Sequence, residues 1–315
     1  MSDNDLARQR FLTTLQTVAI AAALAGLLLL VGYTVLGWIG LLVVGSVVAM
    51  TVAQSTQVSL RVRPADAVGL RYADAPWLFD TVAELCRRAG ISQVPDLYYS
   101  RSPIMNAATL GTGGAEHSIL VTEGLLSSLA PREIAGVLAH EVAHIRNNDL
   151  TIFRLAEIAR VMTHSLAQFG WLALLLFLPF WAFSGEGVPA EVALLLFAAP
   201  LGGIVLQLAL FRTREFAADA TAAELTGDPV GLASALRKID SGGRTLLGQL
   251  FPFQRTEQNQ SLFQTHPNTA ERVKRLLILA HGEDRRAGSR MRSGLPANGL
   301  FVDWRRRERH NGFLA

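Results

Sequence analysis

No Asp, Glu, Lys or Arg occurs between Arg10 and Arg61. Roughly 20 apolar helical residues span a bilayer core, so this run predicts two crossings, Phe11 to Val31 and Tyr33 to Ala53, broken at Gly32. A second charge-free pair, Val161 to Phe183 and Val192 to Phe211, is joined by the short segment Ser184 to Glu191. Pro179, Pro200 and the Gly202-Gly203 pair are compatible with membrane helices. The expectation is four transmembrane helices in two hairpins. A cleaved signal peptide fits the first run less well, because a signal core is about 7–15 residues long and here a second span follows at once. A buried hairpin of a large soluble core fits the second pair less well, since helices apolar all round normally face lipid.

Composition agrees with this reading. Half of the 315 residues are hydrophobic, 17% are charged and the mean hydropathy is +0.29, a balance too apolar for a disordered chain. The single cysteine, Cys86, excludes an intramolecular disulfide and suits a reducing compartment. No glycine triplet, sustained heptad or internal repeat is present, which excludes collagen-like, coiled-coil and solenoid classes. With a net charge of only +3 and no supporting fold signal, nucleic acid is not an expected partner.

The basic residues orient the chain. Arg8, Arg10, Arg61, Arg63, Arg146, Arg154, Arg160, Arg212 and Arg214 flank the outer ends of the two hairpins, whereas the tight connections carry no Lys or Arg. By the positive-inside rule both termini and the segment between the hairpins are cytoplasmic. The expected organisation is a transmembrane hairpin (1–60), the first part of a cytoplasmic domain (61–160), a second hairpin (161–211), the remainder of the domain (212–282) and a basic, disordered tail (283–315). That tail, rich in arginine, is placed to touch anionic lipid.

In the first cytoplasmic segment, Trp77 to Ala89 reads as a helix stopped by Gly90. Leu97 to Ser100, Met105 to Leu110 and Ser118 to Thr122 read as strands. Gly111 to Gly114 is a hairpin turn rather than a phosphate loop, since it has neither the dinucleotide nor the lysine-containing spacing. His117 beside it is expected at the surface. The fold class is thus α+β, mainly helical, with a small sheet.

From Pro131 a further helix begins, with Glu133 in its first turn and Asn147-Asn148 as a stop. Ile134, Leu138, Val142 and Ile145 share one face and are the expected buried side. His140 and His144 lie elsewhere, one turn apart, so both rings reach a single ion, and Glu141 between them is placed to act on water. This is the H-E-x-x-H pattern of zinc hydrolases, His140-Glu141-Val142-Ala143-His144. Surface histidines on a helix are the bland alternative.

A catalytic zinc usually takes a third protein ligand. Glu215 and Asp219, four apart in an alanine-rich helical stretch ending at Gly227, offer it: Glu215 as ligand and Asp219 as the group that orients a ligand histidine. A solvated acidic face balanced by Arg212 and Arg214 is the competing reading. His266, in Thr265-His266-Pro267, is a candidate catalytic donor for charge developing on the scissile carbonyl, or a structural histidine. Arg272 fits pairing with Asp219 better than substrate contact. Asn106 to Thr109 or Ser118 to Thr122 could supply the sheet edge to which a substrate strand is added.

This ordered series resembles the HtpX-like membrane zinc metalloproteases, relatives of the CAAX prenyl proteases in the gluzincin group. The resemblance rests on roughly residues 10–280: the hairpin, Asn106 to Thr109, Ser118 to Leu126, His140 to His144, the second hairpin, Glu215 and Asp219, and Thr265 to Pro267 before Glu271-Arg272. It implies a zincin-type metalloprotease domain with one zinc ion per chain bound by His140, His144 and Glu215. It further implies Glu141 as catalytic residue, Asn106 and Ala107 at the substrate strand, and proteolysis of unfolded or damaged membrane proteins at the cytoplasmic face of the bacterial inner membrane. Ala108 stands where relatives often carry phenylalanine, and the arginine-rich tail extends past the usual end.

Three rivals make different demands. An intramembrane protease would bury the motif in a spanning helix, whereas Arg132, Glu133, Arg146 and Asp149 crowd its ends here. A silent scaffold with structural zinc would fill all four ligand positions, often with cysteine. A prenyl-protein processing enzyme of the related branch would have more than four spans.

Overall fold

The computed structural model describes residues 3–55, 67–111, 117–184, 190–243 and 269–292. The uncharged N-terminal run is helical as α1 (Asp3–Ser55) except at Gly37, whose φ of 58° and ψ of −140° suit a residue without a Cβ. The chain reverses there. A Cβ built on Gly32 lies 3.0 Å from Val44 Cγ2, although residues this far apart on a straight helix would be separated by about 18 Å. The turn is thus five residues beyond the expected break at Gly32. Gly32 is instead the surface against which the returning arm closes.

That contact predicts a large local effect. A methyl group on Gly40 would collide with the Gly32 carbonyl oxygen, which is backbone and cannot rotate away. Gly40→Ala is expected to destabilise the protein by about 1–3 kcal/mol, the usual cost of forcing atoms into a packed site. Gly45→Ala, with nothing within 4 Å of its new methyl, is the control expected to be neutral. Thermal unfolding in detergent compares them, and equal midpoints would contradict the packing argument.

The other two long helices, α5 (Asp149–Ser184) and α6 (Ala190–Thr226), pack on each other and on α1. Leu28, Val31, Val44, Leu166, Ala167, Leu174, Leu196 and Ala199 form their shared buried cluster. Two helical stretches among the described residues are long and apolar enough to cross a membrane, Phe11–Ser46 and Ala190–Thr226. The sequence led us to expect four spans. The first of these stretches contains the Gly37 reversal, and α5 opens with the charged residues Asp149, Arg154, Glu157 and Arg160 before its apolar part.

The remaining elements assemble a second core. Strands β1 (Val68–Gly69), β2 (Asp96–Ser100), β3 (Ala107–Gly111) and β4 (His117–Thr122) form a mixed sheet in the order β1-β2-β4-β3, with β2 and β4 parallel and β3 and β4 antiparallel. The strand expected from Met105 begins at Ala107 because the Thr122 hydroxyl accepts the Asn106 N–H and donates to the Ile104 or Asn106 carbonyl, replacing the ladder. Sharing one core with the sheet are α2 (Pro76–Ala89), α3 (Glu123–Ser128), α4 (Pro131–Arg146), α7 (Pro229–Gly243) and α8 (Thr269–Arg292). Leu78, Leu97, Ile119, Leu138, Leu232 and Leu276 belong to one continuous core, each contributing about 1.5–3 kcal/mol by burial.

Two helices run across the expected domain limits. The division at 211 falls inside α6, a 37-residue helix about 55 Å long that enters both cores. Helix α8 runs to Arg292, past the expected start of the tail at 283, because most of residues 283–292 are good helix formers. The rest of the tail lies outside the described residues.

Candidate active site

Helix α4 starts where Pro131 occupies the first turn and the Glu133 carboxylate accepts the Ala130 N–H at 2.7 Å. The same carboxylate accepts from Ser234 Oγ at 2.6 Å and Lys238 Nζ at 2.7 Å, which fastens α7 to α4. We expected a single buried face. Instead Ile134 and every residue from Gly136 to His144 are buried, because α2, α6, α7 and β3 enclose the helix. His140, Glu141 and His144 are 1%, 4% and 5% exposed, so each polar atom requires a partner.

Those partners come from distant segments. His140 Nε2 lies 3.1 Å from His144 Nε2 and 3.4 Å from Glu215 Oε2, and His144 Nε2 lies 3.5 Å from Glu215 Oε1. Ligand atoms at the corners of a tetrahedral zinc site are about 3.3 Å apart. Donor types and spacing therefore fit a zinc ion. Among the described residues these three are the group of His, Cys, Asp and Glu that could hold a metal.

The other ring nitrogens are held by carboxylates. His140 Nδ1 lies 3.0 Å from Asp219 Oδ1, and His144 Nδ1 lies 2.7 Å from Asp149 Oδ2. An Nδ1–H donated to each carboxylate leaves both Nε2 lone pairs facing the same point. Arg272, 2% exposed, donates Nε and Nη2 to Asp219 at 2.7 Å each, and its Nη1 lies 3.1 Å from Glu215 Oε2. Burial alone would raise the Asp219 carboxyl, but Arg272 and His140 outweigh it and hold it at about 2. Burial and the Arg272 charge would lower the His140 ring, but hydrogen bonds to Asp219 and Glu215 raise it to about 9. A metal ion bound by the ring would take the place of that proton.

Glu141 points from α4 to the sheet. Its Oε2 accepts the Thr109 N–H at 2.7 Å and the Thr109 hydroxyl at 2.8 Å. Strand β3 ends the sheet, and the Asn106 carbonyl accepts the Thr122 N–H, so alternation turns the peptide groups of Ala107 and Thr109 away from β4. The Ala107 side chain is buried, Asn106 is half-buried, and His117 is half-buried rather than at the surface, its pKa lowered by burial. His266 lies outside the described residues.

Asp149, Arg214 and the bonds from Thr109 were missed in sequence. We read Asp149 as one of the charged residues crowding the end of the motif helix and Arg214 as a basic flank of the second membrane hairpin. Available signals were that Asp149 follows His144 by five residues across a break and that Arg214 precedes Glu215. The break matters, because Asn148, at φ 54°, takes the left-handed turn that asparagine tolerates and starts α5 with Asp149 beside His144. Arg214 Nε donates to the other oxygen of Asp149, which is fully buried. The pairing of Arg272 with Asp219 is as expected.

Residues 72–280 match the model of peptidase family M48. The protease HtpX homolog of Persephonella marina is 35% identical over 305 residues, covering 88% of this chain and 99% of that protein. The corresponding protein of Acaryochloris marina is 36% identical over 293 residues, covering 86% and 96%. The crystal structure of S. mikatae Ste24p overlays with a TM-score of 0.44 at 20% identity, covering 86% of this chain and 67% of that one. With a His-His-Glu cluster on an H-E-x-x-H helix, apolar helices beside it, the family match over residues 72–280 and the two HtpX homologs across most of its length, the chain belongs to peptidase family M48 and is a membrane metalloprotease.

Proposed function

We propose that this membrane metalloprotease is a zinc endopeptidase in which His140, His144 and Glu215 hold one zinc ion and Glu141 moves the proton. The observation that carries this reading is the convergence of three buried ligand side chains, with nitrogen and oxygen atoms 3.1–3.5 Å apart, and Glu141 on the same helix as the two histidines. Bound zinc supplies Lewis acidity toward water and the scissile carbonyl. Glu141 accepts the proton of the attacking water and returns it to the leaving amine. His266 is the proposed donor to the charge that develops on the carbonyl oxygen.

The substrate backbone adds as a strand to the outer edge of β3 through the main chain of Ala107, with Asn106 beside it, a mode that reads main chain and tolerates varied side chains. Such tolerance suits unfolded or damaged membrane proteins as substrates. The chain crosses the bacterial inner membrane four times, twice through α1 about Gly37 and once each through α5 and α6. The arginines at the outer ends of these hairpins support cytoplasmic termini and a cytoplasmic catalytic domain built from 61–160 and 212–282.

The test is cleavage of an unfolded protein by detergent-purified full-length enzyme. A chelator is expected to abolish cleavage and added zinc to restore it. Chelator-resistant cleavage would overturn the zinc assignment, and cleavage confined to prenylated peptides would replace the substrate assignment with narrow processing.

A further inference from the structure

Thr109 is 9% exposed and places two donors on one oxygen of Glu141, its N–H at 2.7 Å and its hydroxyl at 2.8 Å. The hydroxyl also lies 3.1 Å from the Glu141 backbone carbonyl. With one proton to donate, it favours the nearer and charged acceptor. We infer that Thr109 is a positioning residue for Glu141, fixing which carboxylate oxygen faces the attacking water. The inference rests on the assignment of Glu141 as the base.

The terminal torsion of glutamate is broad, so the side chain alone does not set where its oxygens point. A single donor would leave the carboxylate free to swing about that contact. Two donors from one residue confine Oε2 and leave Oε1 as the oxygen available for the proton. Thr109 suits this task because its β-branched side chain is stiff about χ1, so the hydroxyl direction is set by the strand. The strand itself is held by β4 through the Thr109–Ile119 register. Burial keeps water from competing for Oε2, since Glu141 is 4% exposed.

The N–H belongs to the backbone and survives substitution, so the hydroxyl is the testable part. Thr109→Val keeps shape and branching and removes only that donor. Its kcat on a fluorogenic peptide cleaved by the wild type is expected to fall about tenfold or more, the scale of one hydrogen bond to a charged group. KM and zinc per chain should stay at wild-type values, and the thermal midpoint should drop only modestly, by the loss of one buried hydrogen bond. Thr109→Ser, which restores the hydroxyl, should recover kcat to within about threefold by the same scale. Adding Thr109→Val to Glu141→Gln should slow the enzyme no further, because the two residues act as a unit.

Wild-type kcat in Thr109→Val would overturn the inference. So would Thr109→Ser as slow as Thr109→Val, or loss of zinc or early melting shared by both, since packing would then explain the effect. Glu141→Gln separates the two levels. If it is inactive while Thr109→Val is unimpaired, only the positioning role fails; if it cleaves like the wild type, the assignment of the base fails first.

Discussion

Glu141→Gln is expected to lower kcat by about 10²–10⁴, the range supplied by a positioned general acid and base, with zinc content unchanged. Glutamine has the size of glutamate, and its amide oxygen still accepts from the Thr109 N–H and hydroxyl, which reach Oε2 in the native enzyme. What it lacks is a site for the proton. His140, His144 and Glu215 keep their mutual geometry, so zinc measured per purified chain should match the wild type. Residual cleavage near the wild-type rate, at equal zinc occupancy, would remove Glu141 from the reaction and leave its bonds to Thr109 as packing.

The largest effect on stability is expected at Arg272. This guanidinium is 2% exposed, donates twice to Asp219 and lies 3.1 Å from Glu215 Oε2. Arg272→Met keeps much of the apolar stem and removes the charge, leaving two buried carboxylates without the cation they share. Breaking a buried ion pair from one side costs about 3–5 kcal/mol. The loss should be greater in chelator than with zinc, because a bound dication offsets part of the uncompensated charge. Thermal unfolding in detergent with and without zinc measures both quantities, and Arg272→Met/Asp219→Asn should recover part of the loss. A midpoint unchanged in chelator would show that Arg272 is not what balances these carboxylates.

The pair also has a defined pH range. Asp219 has a folded pKa of about 2 against an ordinary value of 3.8. Its contribution to stability is therefore complete above about 3.8 and is lost as the pH falls through about 2.

Sequence by itself determined what depends on short-range periodicity and spacing. The charge-free runs specified apolar helices, Gly90 ended α2, and β2, β3 and β4 were placed within one or two residues of their limits, whereas the two-residue β1 was not foreseen. The metal-site cluster was legible because its parts are separated by one helical turn: His140 from His144, and Glu215 from Asp219. Only the tertiary structure decided which distant residue completes each local pattern. Arg214 reaches Asp149 across 65 residues and Thr109 reaches Glu141 across 32, neither pairing being readable from spacing. The reversal at Gly37 rather than Gly32, and the burial of α4 on every side, were settled the same way. The physical reason is that periodicity states which face of a helix or strand is apolar, whereas a buried charge or hydrogen bond is satisfied by whatever group packing brings within about 3 Å.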